Sequence, residues 1–227
     1  MPLVSEVTMG KVRVMIVLIF ATFAVTALPA FCQRIDNKNL SKKVPAFEMA
    51  SVVPSQILDR LAKTYRVPIG LEAIAEPKLK NSERLISVNL SNGTVRDVLN
   101  RVVEADTRYT WVDRDNVINI FPKGKKNPIL ETILKNFSVS QVNREEALEL
   151  LKRMPDIRAK LREERVRLRD FRSFPGEGLT SSRRFSLNLH NASVRTILNE
   201  ITKASGGSYW IFFIYGDRDE FVSVRLS

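Results

Sequence analysis

Ile86-Ser87-Val88-Asn89-Leu90-Ser91-Asn92-Gly93-Thr94-Val95-Arg96-Asp97-Val98-Leu99-Asn100 is answered, 99 residues later and without a gap, by Phe185-Ser186-Leu187-Asn188-Leu189-His190-Asn191-Ala192-Ser193-Val194-Arg195-Thr196-Ile197-Leu198-Asn199. The identities are Ser87/Ser186, Asn89/Asn188, Leu90/Leu189, Asn92/Asn191, Val95/Val194, Arg96/Arg195, Leu99/Leu198 and Asn100/Asn199. After a small insertion, Asp113-Arg114-Asp115 is matched by Asp217-Arg218-Asp219. A self-match at a fixed offset means that one structural unit occurs twice.

Each copy parses alike. Ile86, Val88 and Leu90 alternate with Ser87 and Asn89, the period of a strand with one buried face. Asn92-Gly93 is expected to turn the chain. Thr94 with Asp97 then opens a helix in the manner of a capping box, and Val95, Val98, Leu99, Val102 and Val103 give it an apolar face. Tyr109–Asp113 and Val117–Phe121 form a hairpin across a polar turn. The second copy predicts a strand at Phe185–Leu189 and a helix from Ser193 with Val194, Ile197, Leu198 and Ile201 inward. Its hairpin is Tyr209–Tyr215 with Phe221–Leu226.

Upstream of each copy lies another strand, helix and strand. In the first half these are Ala46–Ala50, a helix from about Pro54 burying Ile57, Leu58, Leu61, Ala62 and Tyr65, and Val67–Glu72; proline is tolerated in a first turn. In the second they are Ile133–Val139, a helix capped by Asn143 and Glu146 with Ala147, Leu148, Leu151 and Met154 inward, and Arg165–Phe171. The expectation is an α+β fold of two tandem small modules, each roughly βαβ-βαββ. Module 1 covers 45–122, a basic linker 123–128, and module 2, divergent and carrying a basic insertion at 152–184, covers 129–227. Two loops, Glu76–Arg84 and Phe174–Arg183, read as exposed.

Ahead of the modules, Lys11 and Arg13 precede an unbroken apolar stretch from Val14 to Ala27, followed by Leu28-Pro29-Ala30-Phe31-Cys32. Positive flank, short apolar run and small residues are the parts of a secretory signal, so residues 1–32 are expected to be a cleaved signal peptide. The run is shorter than the ~20 apolar residues of a spanning helix, and Pro29 interrupts its end, so an uncleaved membrane anchor is the lesser alternative. Phe31 before Cys32 does not suit a lipoprotein signal. The expected compartment is the periplasm of a bacterial envelope.

The chain has 227 residues and a formal net charge of +11. Losing Lys11, Arg13 and Glu6 with the signal leaves +10. Such a balance suits an anionic contact, whether an acidic protein, lipid headgroups or a wall polymer. Export argues against nucleic acid as the partner. Cys32 is the only cysteine and His190 the only histidine, which removes intramolecular disulfides, cysteine-built metal sites and histidine-pair catalysis.

From Val44 to Phe121 the sequence resembles the short N-terminal domain shared by secretins and TonB-dependent receptors. The residues that carry the resemblance are Ile57-Leu58-Asp59-Arg60-Leu61-Ala62, Val67-Pro68-Ile69-Gly70-Leu71, Ser87-Val88-Asn89-Leu90 and Val95-Arg96-Asp97-Val98-Leu99, with the closing hairpin. The last 45 residues share it less fully, and Lys152–Arg184 least. The resemblance implies a periplasmic interaction module that contacts an inner-membrane or soluble partner or packs into rings. The sequence ends at Ser227 without a barrel region, so ring assembly and transport are not carried over.

Candidate sites divide into few kinds. His190 stands where the first repeat has Ser91, which fits an exposed polar position better than a ligand. Asn89/Asn188 and Asn92/Asn191 could line a binding face, but strand and turn positions account for them. The Asp-Arg-Asp turns lack the oxygens that calcium needs. Tyr109, Trp111, Tyr209 and Trp210 read as core aromatics on hairpin strands. Between Lys152 and Arg172 nine basic residues face four acids. Arg165, Arg167 and Arg169 alternate with Val166 and Leu168, so a strand would aim them at one face. With Lys160 and Arg172 they are the candidate contacts for an anionic partner; a solvated face, or a basic strand edge that discourages aggregation, is the competing explanation.

No nucleophile with a base, phosphate-cradling loop or metal set is visible, so the expectation is a non-enzymatic exported protein without a cofactor. It would act as a protein-interaction or scaffold module offering sheet edges to a partner peptide. The alternative is a cationic binder of anionic lipid or cell-wall polymer through 152–172.

Overall fold

Local chemistry sets most of the elements in this computed structural model. It describes residues 38–74, 84–124, 126–173, 183–215 and 220–226, of which 168–173, 214–215, 220–223 and 225–226 are described by backbone alone. The expected signal peptide therefore lies outside the described residues, as do most of the two exposed loops and the Asp217-Arg218-Asp219 turn.

In the first half the order is β1 (Lys43–Val52), α1 (Pro54–Tyr65), β2 (Ile69–Glu72), β3 (Ile86–Thr94), α2 (Val95–Ala105), β4 (Tyr109–Arg114) and β5 (Val117–Pro122). The second half runs β6 (Ile133–Val142), α3 (Arg144–Arg153), α4 (Pro155–Glu163), β7 (Val166–Ser173), β8 (Phe185–Ser193), α5 (Val194–Ser205), β9 (Tyr209–Tyr215) and β10 (Glu220–Leu226). The fold is α+β.

Both capping boxes form: the Thr94 hydroxyl and Asn143 amide oxygen accept from the N–H groups of Asp97 and Glu146, whose carboxylates accept from the Thr94 and Asn143 N–H groups. Proline opens α1 and α4, where a missing N–H costs nothing. Asp115 and Asn116, with φ of 56° and 62°, make the two-residue turn between β4 and β5 that a twisted hairpin favours. The Ser87/Ser186 identity also finds its reason. Ser51 and Gln141 take left-handed angles that interrupt β1 and β6, and each donates its N–H to the facing serine hydroxyl at 3.0 Å.

One local expectation changes and one helix is added. Asn92-Gly93 does not turn the chain; Asn92 tolerates a φ of 55°, so the strand bends there and stays paired with β1 to Thr94. The basic insertion at 152–184 holds a helix that the sequence reading did not place, α4, whose Ile157 and Leu161 are buried. The charged residues around those two hide a helical spacing of four. Met154 is the C-cap of α3 and joins it to α4, and it packs half-buried against the core as expected.

β1 pairs with β3, and β6 with β8, as two antiparallel ribbons. The other strands form one sheet in the order β4-β5-β2-β9-β10-β7. Each repeat contributes three: β4, β5 and β2 correspond to β9, β10 and β7. The two modules therefore do not stop at the linker. They are welded by a parallel ladder in which Ile69, Gly70, Leu71 and Glu72 face Tyr209, Trp210, Ile211 and Phe212, and residues 36–227 form one unit.

Side chains alternate along this ladder. Ile69, Leu71, Tyr209 and Ile211 join the core under α1 and α2, while Trp210, Phe212 and Val224 join the core under α3 and α5. The helices of the two modules thus cover opposite faces of the shared sheet. Because β4 runs against β5, and β5, β2 and β9 run together, β9 points opposite to its counterpart β4. Module 2 follows module 1 by half a turn about an axis across the strands plus a shift. Unlike a two-fold dimer contact, this joint uses two different edges.

Candidate functional site

The inter-module joint shows what an edge strand of this fold is built to hold. Ile69 donates its N–H to Ser208 O and Ala73 donates to Phe212 O, both at 2.8 Å. Trp210 Nε1 donates to Asn199 Oδ1 at 2.8 Å, and its ring is fully buried. Asn199 stands near the middle of α5, so the helix fixes the indole against the sheet. The neighbouring strand must present glycine there: a Cβ on Gly70 would overlap the Trp210 ring.

Two residues along β2, Glu72 meets Arg195. The Nη2 to Oε2 distance is 2.6 Å, and the two side chains are only 7% and 6% exposed. Arg195 also donates through Nε to Glu131 at 3.0 Å and lies 5.6 Å from the Phe121 ring centre. Burial pushes the Glu72 carboxyl above the usual range, against the hydrogen bond and charge of Arg195, which pull it down. One cation in the first turn of α5 thereby holds β2, the segment before β6 and the end of β5.

The same constellation recurs on β4. Trp111 Nε1 donates to Asn100 Oδ1 at 3.2 Å, and the Arg96 guanidinium carbon lies 6.0 Å from the Trp111 ring centre. Arg96, Asn100 and Trp111 stand at the 99-residue offset from Arg195, Asn199 and Trp210. The surroundings differ. Among the described strands, β4 has a partner only on its β5 side. Trp111 is half-buried where Trp210 is fully buried, and Val112 is 41% exposed where Ile211 is 7% exposed.

The expected cationic stripe is rearranged. Arg165 has a φ of 56° and sits in the bend before β7, so alternation does not carry it onto the strand face. The β7–β10 register slips between Leu168 and Asp170, so the ladder gives Arg169 no paired residue on β10. Lys160 lies on α4 and is tied to Glu163 and Glu164 at 2.9 and 2.8 Å. Those two carboxylates raise its pKa. The side chains of Arg169 and Arg172 lie outside the described residues. Arg167 is exposed.

His190 is exposed, and its Nδ1 lies 2.7 Å from Asn136 Oδ1 across the β6–β8 ribbon. Tyr109, Tyr209 and Trp210 are core residues, as the strand pattern indicates. An open cavity of about 400 Å³ is lined by Glu72, Ile74, Arg108, Lys123 and Asn127 among others. Two of its charged groups already have structural work: Glu72 pairs with Arg195, and Arg108 binds Asp106 at 2.8 Å. Among the described residues no cluster of three potential metal ligands occurs, and no helix is long and apolar enough to cross a membrane.

Compared with known proteins, the chain matches no family model and no curated protein. The sequence reading missed Gly70 and the Arg–Asn–Trp set as site elements. Their signal was present, since Arg96/Arg195 and Asn100/Asn199 are identities and Trp111/Trp210 share their offset. An arginine in the first turn of a helix, where the helix dipole gives it no favourable partner, was the clue that a carboxylate stands opposite.

Proposed function

We propose that this chain is an exported, non-catalytic envelope protein that binds a protein partner by strand addition at the outer edge of β4. The observation that carries the reading is the joint between its own modules. One module already binds the other by a parallel strand ladder, and the receiving strand has a counterpart, β4, at the rim of the sheet. Main-chain hydrogen bonds supply affinity in such additions, and side-chain pockets supply selectivity. The N-terminal sequence pattern supports export, and the resemblance to the secretin and TonB-receptor domain supports an interaction role.

The test removes one edge donor without touching the core. Ser208 and Phe212 accept from Ile69 and Ala73; the counterpart of Phe212 on β4 is Asp113, whose N–H faces away from β5. Asp113 is exposed. Asp113→Pro should leave thermal stability within a few degrees and abolish retention of the partner from envelope extract at high salt. Retention unchanged by the substitution overturns the reading. Retention seen only at low salt favours the cationic alternative, because exposed charges are screened within about 8 Å at physiological salt.

A further inference from the structure

We infer that the β4 edge selects a parallel strand of the pattern apolar–glycine–apolar–acidic, with the glycine beneath Trp111 and the carboxylate two residues later on Arg96. This rests on the strand-addition reading and specifies what it recognises. The occupant is an extended segment of a partner protein, and the internal joint is the template for it.

The surroundings of β4 repeat the receiving half of the joint. In the joint, α5 supplies Arg195 and Asn199, β9 supplies Trp210, and the incoming strand is Ile69-Gly70-Leu71-Glu72. Every receiving residue has its identical counterpart around β4: Arg96, Asn100 and Trp111. The indole is set by the same hydrogen bond from the same helix position. A flat aromatic clamped in place over the neighbouring strand leaves no room for a Cβ, so glycine is selected by exclusion. The carboxylate is selected by charge, since Arg195 shows what an arginine at this helix position reaches. Alternation then sends the two flanking apolar residues to the opposite face beside Val112, the exposed counterpart of Ile211.

A second copy of this chain does not fit the role. Its β2 already has β5 on one side and β9 on the other. Its other rim strand, β7, carries Arg172 at the register of Gly70. That follows because Asn119 pairs with Gly70 and Val112 in one half, while Arg225 pairs with Arg172 and Ile211 in the other. A Cβ at that register falls where the indole must lie. The repeat therefore ends its own array at two modules and leaves the β4 socket to a different protein.

The experiment titrates the full chain with a fluorescein-labelled peptide copying residues 66–74 and follows anisotropy to millimolar peptide. The unmodified peptide should bind. Replacing its glycine by leucine, or its glutamate by lysine, should weaken binding at least tenfold. Arg96→Glu protein should reverse the preference between the glutamate and lysine peptides; the peptide series on unaltered protein does not depend on that variant folding. Equal binding of all three peptides, lost in Asp113→Pro protein, overturns the selectivity while leaving strand addition at β4 standing. Binding that survives Asp113→Pro, or no binding of any peptide, overturns this inference as well.

Discussion

Gly70→Ala should destabilise the protein by about 2 kcal/mol, although alanine is ordinarily the better residue inside a strand. Replacing a strand-interior glycine with alanine gains roughly 0.5–1 kcal/mol of backbone entropy. Against that, the new Cβ overlaps three atoms of the Trp210 indole. The ring is fully buried and held by Asn199 at 2.8 Å, so it cannot swing aside without breaking that bond. Overpacking a tight core costs typically 1–3 kcal/mol and occasionally more; the upper part of that range, less the entropy gain, leaves about 2. Urea denaturation would read the change as a lowered midpoint. The decisive variant is Gly70→Ala with Trp210→Phe. The smaller ring makes room for the methyl, so the double variant should be more stable than the sum of the two single losses predicts, with a coupling of about 1 kcal/mol or more. Additive losses, or a Gly70→Ala protein as stable as the parent, would refute the account of the joint.

Arg195→Met should cost about 3–5 kcal/mol at pH 7, because it strands a buried Glu72 carboxylate. Since burial raises the Glu72 pKa, its charged form opposes folding. Stability contributed by the protonated form is fully present below the ordinary glutamate range and falls as pH rises through the raised value. The Arg195→Met deficit should therefore shrink toward pH 4, read as thermal midpoints across that range. Asp106 behaves in the opposite sense. The hydrogen bond from Arg108 holds its carboxyl below the usual range, so its contribution is present above about pH 4 and is lost as pH falls further. Asp106→Asn should remove part of that acid sensitivity and cost about 1.5–3 kcal/mol at pH 7. Thr94→Ala should cost about 1 kcal/mol through loss of the α2 cap, measured by denaturant midpoint.

The strands, the helices and the repeat were legible because each depends on neighbours a few residues apart. Val95, Val98, Leu99 and Val102 mark a buried helix face whatever else is present, and Thr94 with Asp97 caps it locally. Alternation in Ile86–Leu90 likewise declares a strand. The helix α4 was less legible, since only Ile157 and Leu161 break its charged surface. The geometry of the basic stretch was misread for a related reason. Alternation in a sequence aims side chains only where the backbone stays extended, and Arg165 takes a left-handed bend while the ladder slips beside Arg169.

What the sequence alone determined was the unit: a strand–helix grammar used twice, with caps, turns and apolar faces repeated at a constant offset. How the two units meet depends on contacts distant in the chain. Gly70 looks like any loop or strand glycine until Trp210, 140 positions away, lies on it, and Arg195 looks like a solvated helix residue until Glu72 is buried against it. Contacts of that kind depend on which edge of one sheet pairs with which edge of another. Local periodicity specifies the edges and leaves that pairing open; exclusion at Gly70 and charge at Glu72 close it.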